Sequence, residues 1–575
     1  MKQLFLIIAA LLFNLTCSAA EPVIDPSLRA EINRRNEDEK IKINILLKEQ
    51  SNPAALTREA SWFPTKRERQ TYVVETLKRQ CKTSQQALIS LLNEMATNGL
   101  VSEIRPLWLV NSISCYANRT AINNLAQRND IMKVYHCQAT KILFDEEVTH
   151  FLRDNDPEIA ENLLHVNADK VWELGYTGEG VLIAIIDTGV SLTHADLQGR
   201  YWDGGEEYPN HGYDFFTHDN DPSDEDGHGT HVAGTICGTG ISGTKTGVAP
   251  DAKIMILKVF GPNQQTDETI LAEAMQFAVE HGADLLNMSL GWPDPNPSVK
   301  LLCRQACENT LAAGIVAAVC AGNVRHLQSL IPIPRNIYAP GNCPPPYLHE
   351  DQMVNTGGTS CVISVGAIDF NNQITYFSST GPSSWTDVPQ YNDYPFTPES
   401  LTEIGLIRPD ICAPGLNIKS LDYNDDHGYC LKDGTSMATP CVAGTIALML
   451  SKNRELTPSQ IDEILENTAV HLSEHKNNDY GSGRIDALAA VNAVEYDATN
   501  EHQNKAIVFP NPSMGDFTVL GHGIKQVSVF SIDGKLLKTI NINGDRYHIE
   551  GLTTGLYLLK IEAVDGVIMN KIIKL

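Results

Sequence analysis

At 575 residues, with a formal net charge of −26, the chain is too long for one ordinary core and implies two to four domains. Its acidity argues against a nucleic-acid partner, whose phosphates demand Lys and Arg. No stretch beyond the first twenty residues is long and apolar enough to serve as a transmembrane segment.

Those first twenty residues, MKQLFLIIAALLFNLTCSAA, set one lysine ahead of an apolar run and end on small residues. This is the pattern of a secretory signal peptide cut after Ala20 (residues 1–20). Export permits disulfides among the cysteines that remain, three before residue 150 and nine after. Odd counts on both sides require a free thiol in each segment or a bridge between them, and no CxxC pair points to zinc.

Residues 21–150 read as a small α+β unit. "KINILLKEQ" alternates like a strand, and a long charged helical stretch follows through Cys81. "SQQALISLLNEMATNG" has helical spacing with Gly99 as its stop. Then come a strand pattern in "SEIRPLWLVNSISCYA", a helix in "RTAINNLAQRND" and a strand in "IMKVYHCQAT".

Residues 151–496 carry all of the excess negative charge. Five short apolar runs, "VLIAIIDTGV", "AKIMILKVF", "ADLLNMSLG", "GIVAAVCAGN" and "CVISVGAID", each end near Gly, Asn or Asp, with helical patterns between several of them. Runs apolar on both faces predict a parallel sheet sandwiched between helices, an α/β class. Functional residues should then gather beyond the carboxyl ends of the strands. The stretch from Asp203 to Asp226 packs nine acids with no Lys or Arg. It could hold calcium, which takes several oxygen ligands, or be a solvated loop; its spacing fits no EF-hand. Residues 497–506 read as a polar linker. Residues 507–575 are short alternating strands punctuated by Gly-containing turns, a small all-β sandwich.

Three places in the middle segment could do chemistry. Asp187 closes "VLIAIIDTGV"; Asp-Thr-Gly also occurs in aspartic proteases, but those need a second copy and none recurs. In "DGHGTHVAG", His228 and His231 could share a metal on one helical face, or one of them alone could do chemistry. Ser436 in "DGTSMATP" opens an apolar helix, where free N–H groups favour an anion beside it. Nucleophilic catalysis by serine needs a hydroxyl, an imidazole to take its proton and a carboxylate to orient that imidazole. Here the three stand at element ends in the order Asp, His, Ser.

"IIDTGV", "DGHGTHVAG" and "DGTSMATP", followed through "NMSLG", "AGN" and "RPDICAPG", resemble the signature blocks of the subtilisin-like serine proteases over roughly residues 165–495. The resemblance implies Asp187 as orienting acid, His228 as general base and acid, Ser436 as nucleophile and Asn323 as oxyanion donor. It also implies a substrate-binding strand at Ser289, Leu290 and Gly291, and an opposite pocket wall at Ala321 and Gly322. It leaves His231 structural, requires no cofactor and allows calcium. The substrates would be proteins or peptides. Two departures are Cys320 and Cys441 near the site, and a Pro-rich loop after Asn323 that could reshape the pocket.

By position, the α+β unit resembles the propeptide of these proteases, an inhibitor and folding aid whose tail lies in the cleft until cut between about Thr140 and Asp156. The carboxyl-terminal segment, with "VFPNPSMGDFTV" and "GLTTGLYLLKIE", resembles the sorting domain of the type IX secretion system. That machinery would then be a partner, and the protein would be secreted or held at the cell surface. The rival of another class is a catalytically inactive subtilisin fold that serves as a surface binding or adhesion protein.

Overall fold

The computed structural model describes residues 23–141, 158–352, 357–400, 402–495, 507–509, 516–532, 534–563 and 566–574. The expected leader, the linker and nearly all of the expected maturation segment lie outside them.

The first unit contains α1 (Pro26–Arg34), β1 (Ile41–Leu47), α2 (Pro53–Ala60), α3 (Lys66–Thr97), β2 (Val101–Leu107), β3 (Ser112–Ala117), α4 (Arg119–Leu125) and β4 (Ile131–His136). Its antiparallel sheet has the order β2-β3-β1-β4. Thr65 and Glu68 form a reciprocal cap that starts α3, a device worth about 1 kcal/mol. The two helical patterns read from the sequence are one 32-residue helix, which gives way at Gly99 with φ +74°. "SEIRPLWLVNSISCYA", read as one strand, is instead a hairpin. Its turn is hidden in the pattern because Leu109 and Val110 are fully buried while Asn111 bonds to Glu49 O and Ser84 Oγ.

The middle unit is built on a seven-stranded, all-parallel sheet. Its strands are β5 (Leu182–Asp187), β6 (Gly212–Asp214), β7 (Lys253–Lys258), β8 (Leu285–Met288), β9 (Val316–Cys320), β10 (Val362–Ile368) and β11 (Ile411–Pro414). The order is β11-β10-β9-β8-β5-β7-β6. The five apolar runs are its five inner strands. The two edge strands, of three and four residues, were not read as strands because neither has a run long enough to show.

Alternation along these strands feeds two separate cores. Ala184, Ile186, Met255, Leu257, Ala317 and Val319 face one; Ile183, Ile185, Ile254, Ile256, Val316 and Ala318 face the other. The first face is covered by α6 (Glu268–Glu280) and α7 (Pro297–Ala312), reached after α5 (His228–Cys237). The second holds α5 and α8 (Thr435–Lys452), which pack on each other. Every residue of α8 from Thr435 to Leu450 is buried, as befits a helix with no polar face.

The first unit docks on α6 and α7, and its Leu56, Tyr72 and Tyr135 join the same apolar cluster as the first sheet face. Lys42 pairs with Asp267 at 2.7 Å, Gln70 donates to the Val279 carbonyl at 2.9 Å and Asn309 to the Leu109 carbonyl at 2.6 Å. Beyond β4, Thr140–Lys141 pairs antiparallel with Gln265–Thr266.

The carboxyl-terminal unit is all-β, as expected. Its strands β12 (Ile507–Phe509), β13 (Phe517–Ser531), β14 (Leu536–Ile549), β15 (Gly555–Ala563) and β16 (Gly566–Lys574) form one connected antiparallel sheet. Phe517, Val519, Val527, Val529, Leu559 and Ile561 make its core. Among the described residues no helix is long and apolar enough to cross a membrane.

Candidate active site

Three neighbouring strands deliver the site. β9, β8 and β5 lie side by side with one polarity, so their carboxyl ends open on one edge. Asp187 ends β5, Ser289-Leu290-Gly291 follow β8, and Ala321-Gly322-Asn323 follow β9.

Asp187 is fully buried. Its Oδ1 accepts from His228 Nδ1 at 2.7 Å and from the Thr188 N–H at 2.8 Å. Burial pushes its carboxyl upward, and the imidazole beside it with these hydrogen bonds pulls it back. His228 is the first residue of α5, entered through Gly227 at φ +97°. The next glycine allows the approach: a Cβ on Gly229 would stand 3.1 Å from Asp187 Oδ1 and drive into the Gly189 carbonyl. His231 turns elsewhere, with Nε2 on the Ile418 carbonyl at 2.9 Å, and full burial holds it well below the usual imidazole range. The two rings therefore serve different partners and share no metal.

Ser436 is the second residue of α8 and is buried. Its hydroxyl donates to the Ser289 carbonyl at 3.1 Å, and the Ser289 hydroxyl returns a bond to the Ser436 carbonyl at 2.9 Å. Leu290 is buried, and Trp292, just after Gly291, exchanges both backbone bonds with Ala339. Asn323 is half-buried, and its Oδ1 accepts from Thr435 N at 3.0 Å and Thr435 Oγ1 at 2.9 Å. Thr435 Oγ1 also accepts the Gly322 N–H at 3.2 Å, tying that wall to the start of α8.

Two positioning residues escaped the sequence reading. Thr435 had no signal beyond its place beside Ser436. Asp224 sat in the acidic stretch, yet it accepts from Thr188 Oγ1, from the N–H groups of Asp226, Gly227 and Thr230, and from Thr230 Oγ1, all within 3.0 Å. It builds the turn that enters α5. Other acids of the stretch are likewise engaged: Asp203, Asp214, Asp219 and Asp221 accept backbone N–H groups, and Glu225 pairs with Lys258. Among the described residues no group of three or more His, Cys, Asp or Glu side chains is arranged to hold a metal.

The twelve cysteines beyond the leader are all buried. Cys320 is buried. Cys441 contacts Met437 O and Asn162 Nδ2, and burial pushes its thiol up to about 12. Cys441 is thus a packing group with no thiolate to offer a reagent.

Residues 178–483 match the Subtilase family, and residues 507–575 match a Secretion system C-terminal sorting domain. Bacillopeptidase F of Bacillus subtilis is 28% identical over 544 residues, 85% of this chain but 35% of that protein, so the chain spans about a third of that relative's length. Subtilisin DY of Bacillus licheniformis is 31% identical over 56% of this chain and 96% of its own. Serine protease AprX of Bacillus subtilis is 29% identical over 66% and 79%. The sorting domain marks the chain for type IX secretion to the cell surface or the extracellular space. With more than half its length matched, the chain belongs to the subtilase family.

Proposed function

We infer that the protein is an exported serine endopeptidase, made as a zymogen, that cuts peptide bonds through an acyl-enzyme with Asp187, His228 and Ser436 as its triad. The observation that carries this reading is the buried Asp187–His228 hydrogen bond at 2.7 Å, held where two packed helices begin with the imidazole and the hydroxyl. A carboxylate on Nδ1 keeps the proton there and leaves Nε2 to accept another.

In the reaction the Ser436 hydroxyl leaves the Ser289 carbonyl, gives its proton to His228 Nε2 and attacks the substrate carbonyl carbon. The resulting oxyanion is met by Asn323 Nδ2 and the Ser436 N–H at the positive end of α8. The C–N bond breaks as His228 returns the proton to the leaving amine. Water, deprotonated by His228, then releases the acid and restores Ser436. The backbone of Ser289-Leu290-Gly291 pairs with an extended peptide by β-addition, with Ala321 and Gly322 opposite. None of these steps calls for a cofactor.

The zymogen reading draws on the docked first unit. Its last described strand, Thr140–Lys141, lies along Gln265–Thr266, and the adjoining Gln264 reaches Asp226, two residues before His228. That strand thus lies against a segment that touches the turn into α5.

A fluorophosphonate probe tests the reading. Matured protein is expected to be labelled, with the adduct mapped by peptide sequencing to Ser436. An unlabelled, correctly matured protein would favour the inactive binding role. Asn323→Ala is expected to lower kcat by about 10²–10³, the cost of one oxyanion donor measured in subtilisin itself; an effect confined to KM would assign Asn323 to ground-state binding. Deleting residues 507–575 is expected to leave turnover intact and trap the protein in the periplasm, read by cell fractionation. Export at the normal level would refute the need for that unit.

A further inference from the structure

We propose that Tyr338 fills the pocket for the side chain preceding the scissile bond, so that the enzyme cuts after small residues such as glycine, alanine and serine. This rests on the protease reading above and goes on to specify its substrates.

Two glycines carry the argument. Gly291 and Gly322 follow β8 and β9 on the two walls that would flank that side chain, and Tyr338 lies against both. A Cβ on Gly291 would stand 2.8 Å from Tyr338 Cβ and 3.3 Å from Cδ2. A Cβ on Gly322 would stand 2.7 Å from Cε1 and from Cγ, with Cδ1 closer still. Carbon atoms that are not bonded to each other rest at about 3.5–4.0 Å, so both walls must be glycine for the phenol ring to fit. The space freed by missing side chains is taken by this chain's own tyrosine, which is 1% exposed.

The backbone leaves this segment little freedom to withdraw. Tyr338 N donates to the Ala321 carbonyl at 2.9 Å on one wall. Ala339 exchanges two bonds, at 2.9 and 3.1 Å, with Trp292 on the other. The Tyr338 carbonyl accepts from Asn342 N at 2.8 Å. Two residues earlier, the fully buried Asn336 donates to the Val324 and Ile331 carbonyls and accepts from Thr380 N. Residues 336–342 thus bridge the two walls as a fixed floor, with the ring standing on it. This is the Pro-rich loop after Asn323 that the sequence marked as able to reshape the pocket.

Full-length protein, matured and titrated with the fluorophosphonate, would be assayed on peptides that differ only at the residue before the cut. Wild type is expected to cut after alanine about 10²-fold faster than after phenylalanine or leucine, the scale on which apolar pockets discriminate by size. Tyr338→Ala is expected to raise the phenylalanine-to-alanine ratio of kcat/KM by about 10². Should that variant not fold, Tyr338→Leu, which keeps an apolar filler of smaller area, is expected to move the same ratio in the same direction. The wild-type profile needs no variant at all. A labelled wild type that cuts after phenylalanine as readily as after alanine overturns the proposal, and so does a folded variant whose ratio is unchanged. A preparation that takes no label refutes the protease reading itself, and this inference falls with it.

Discussion

Ser436→Ala is expected to lower kcat by about 10⁶-fold while the protein still folds and binds peptide; the magnitude is that of subtilisin's own nucleophile. The hydroxyl has one partner in the resting site, the Ser289 carbonyl. Losing it strands one acceptor next to a cleft, a small cost to the fold. Tm should therefore stay within a few degrees of wild type, and residual hydrolysis should reflect the oxyanion donors alone. A parent-like rate in the variant, measured after excluding contaminating protease with the same probe, would remove Ser436 from the mechanism.

Asp187→Asn is expected to cost about 10⁴ in kcat with the fold retained. Asp187 Oδ1 accepts the Nδ1 proton of His228 at 2.7 Å. An amide nitrogen at that position donates instead, so the ring proton moves to Nε2, the atom that must accept from Ser436. The geometry survives and the tautomer is wrong. Because burial already pushes this carboxyl upward, the neutral amide should be no harder to bury, and Tm should hold. Near-normal turnover would deny Asp187 its orienting role, whereas a large fall in Tm would mark it as a structural group.

Much of this site could be read before any coordinates because its members sit at element ends, where sequence punctuation is strongest. Asp187 follows four buried apolar residues, and glycines flank His228 for steric reasons that Gly229 makes concrete. The inner strands were readable for the same reason: burial on both faces demands continuous apolar runs. What escaped reading depends on contacts between distant segments. Asp224 looked like one more acid in a solvated loop, because nothing local says that Thr188 and Thr230 converge on it. The hairpin around Leu109 and Val110 looked like one strand, because these two apolar turn residues are buried against the neighbouring unit and continue the strand pattern. Tyr338 lay in a Pro-rich stretch with no period at all. Its role exists only because two glycines, following β8 and β9, close around it.

The adjacency of β5, β8 and β9 also bears on the safety of the producing cell. On the proposed roles, acid, substrate strand and oxyanion amide would arrive from three separate strands and the nucleophile from a helix packed on the same sheet, so a fragment would lack a working set. Hydrolytic power is then an all-or-none property of the completed sheet. Chains whose sheet is incomplete should then be inactive, and in denaturant the activity should vanish in the same transition that melts the sheet.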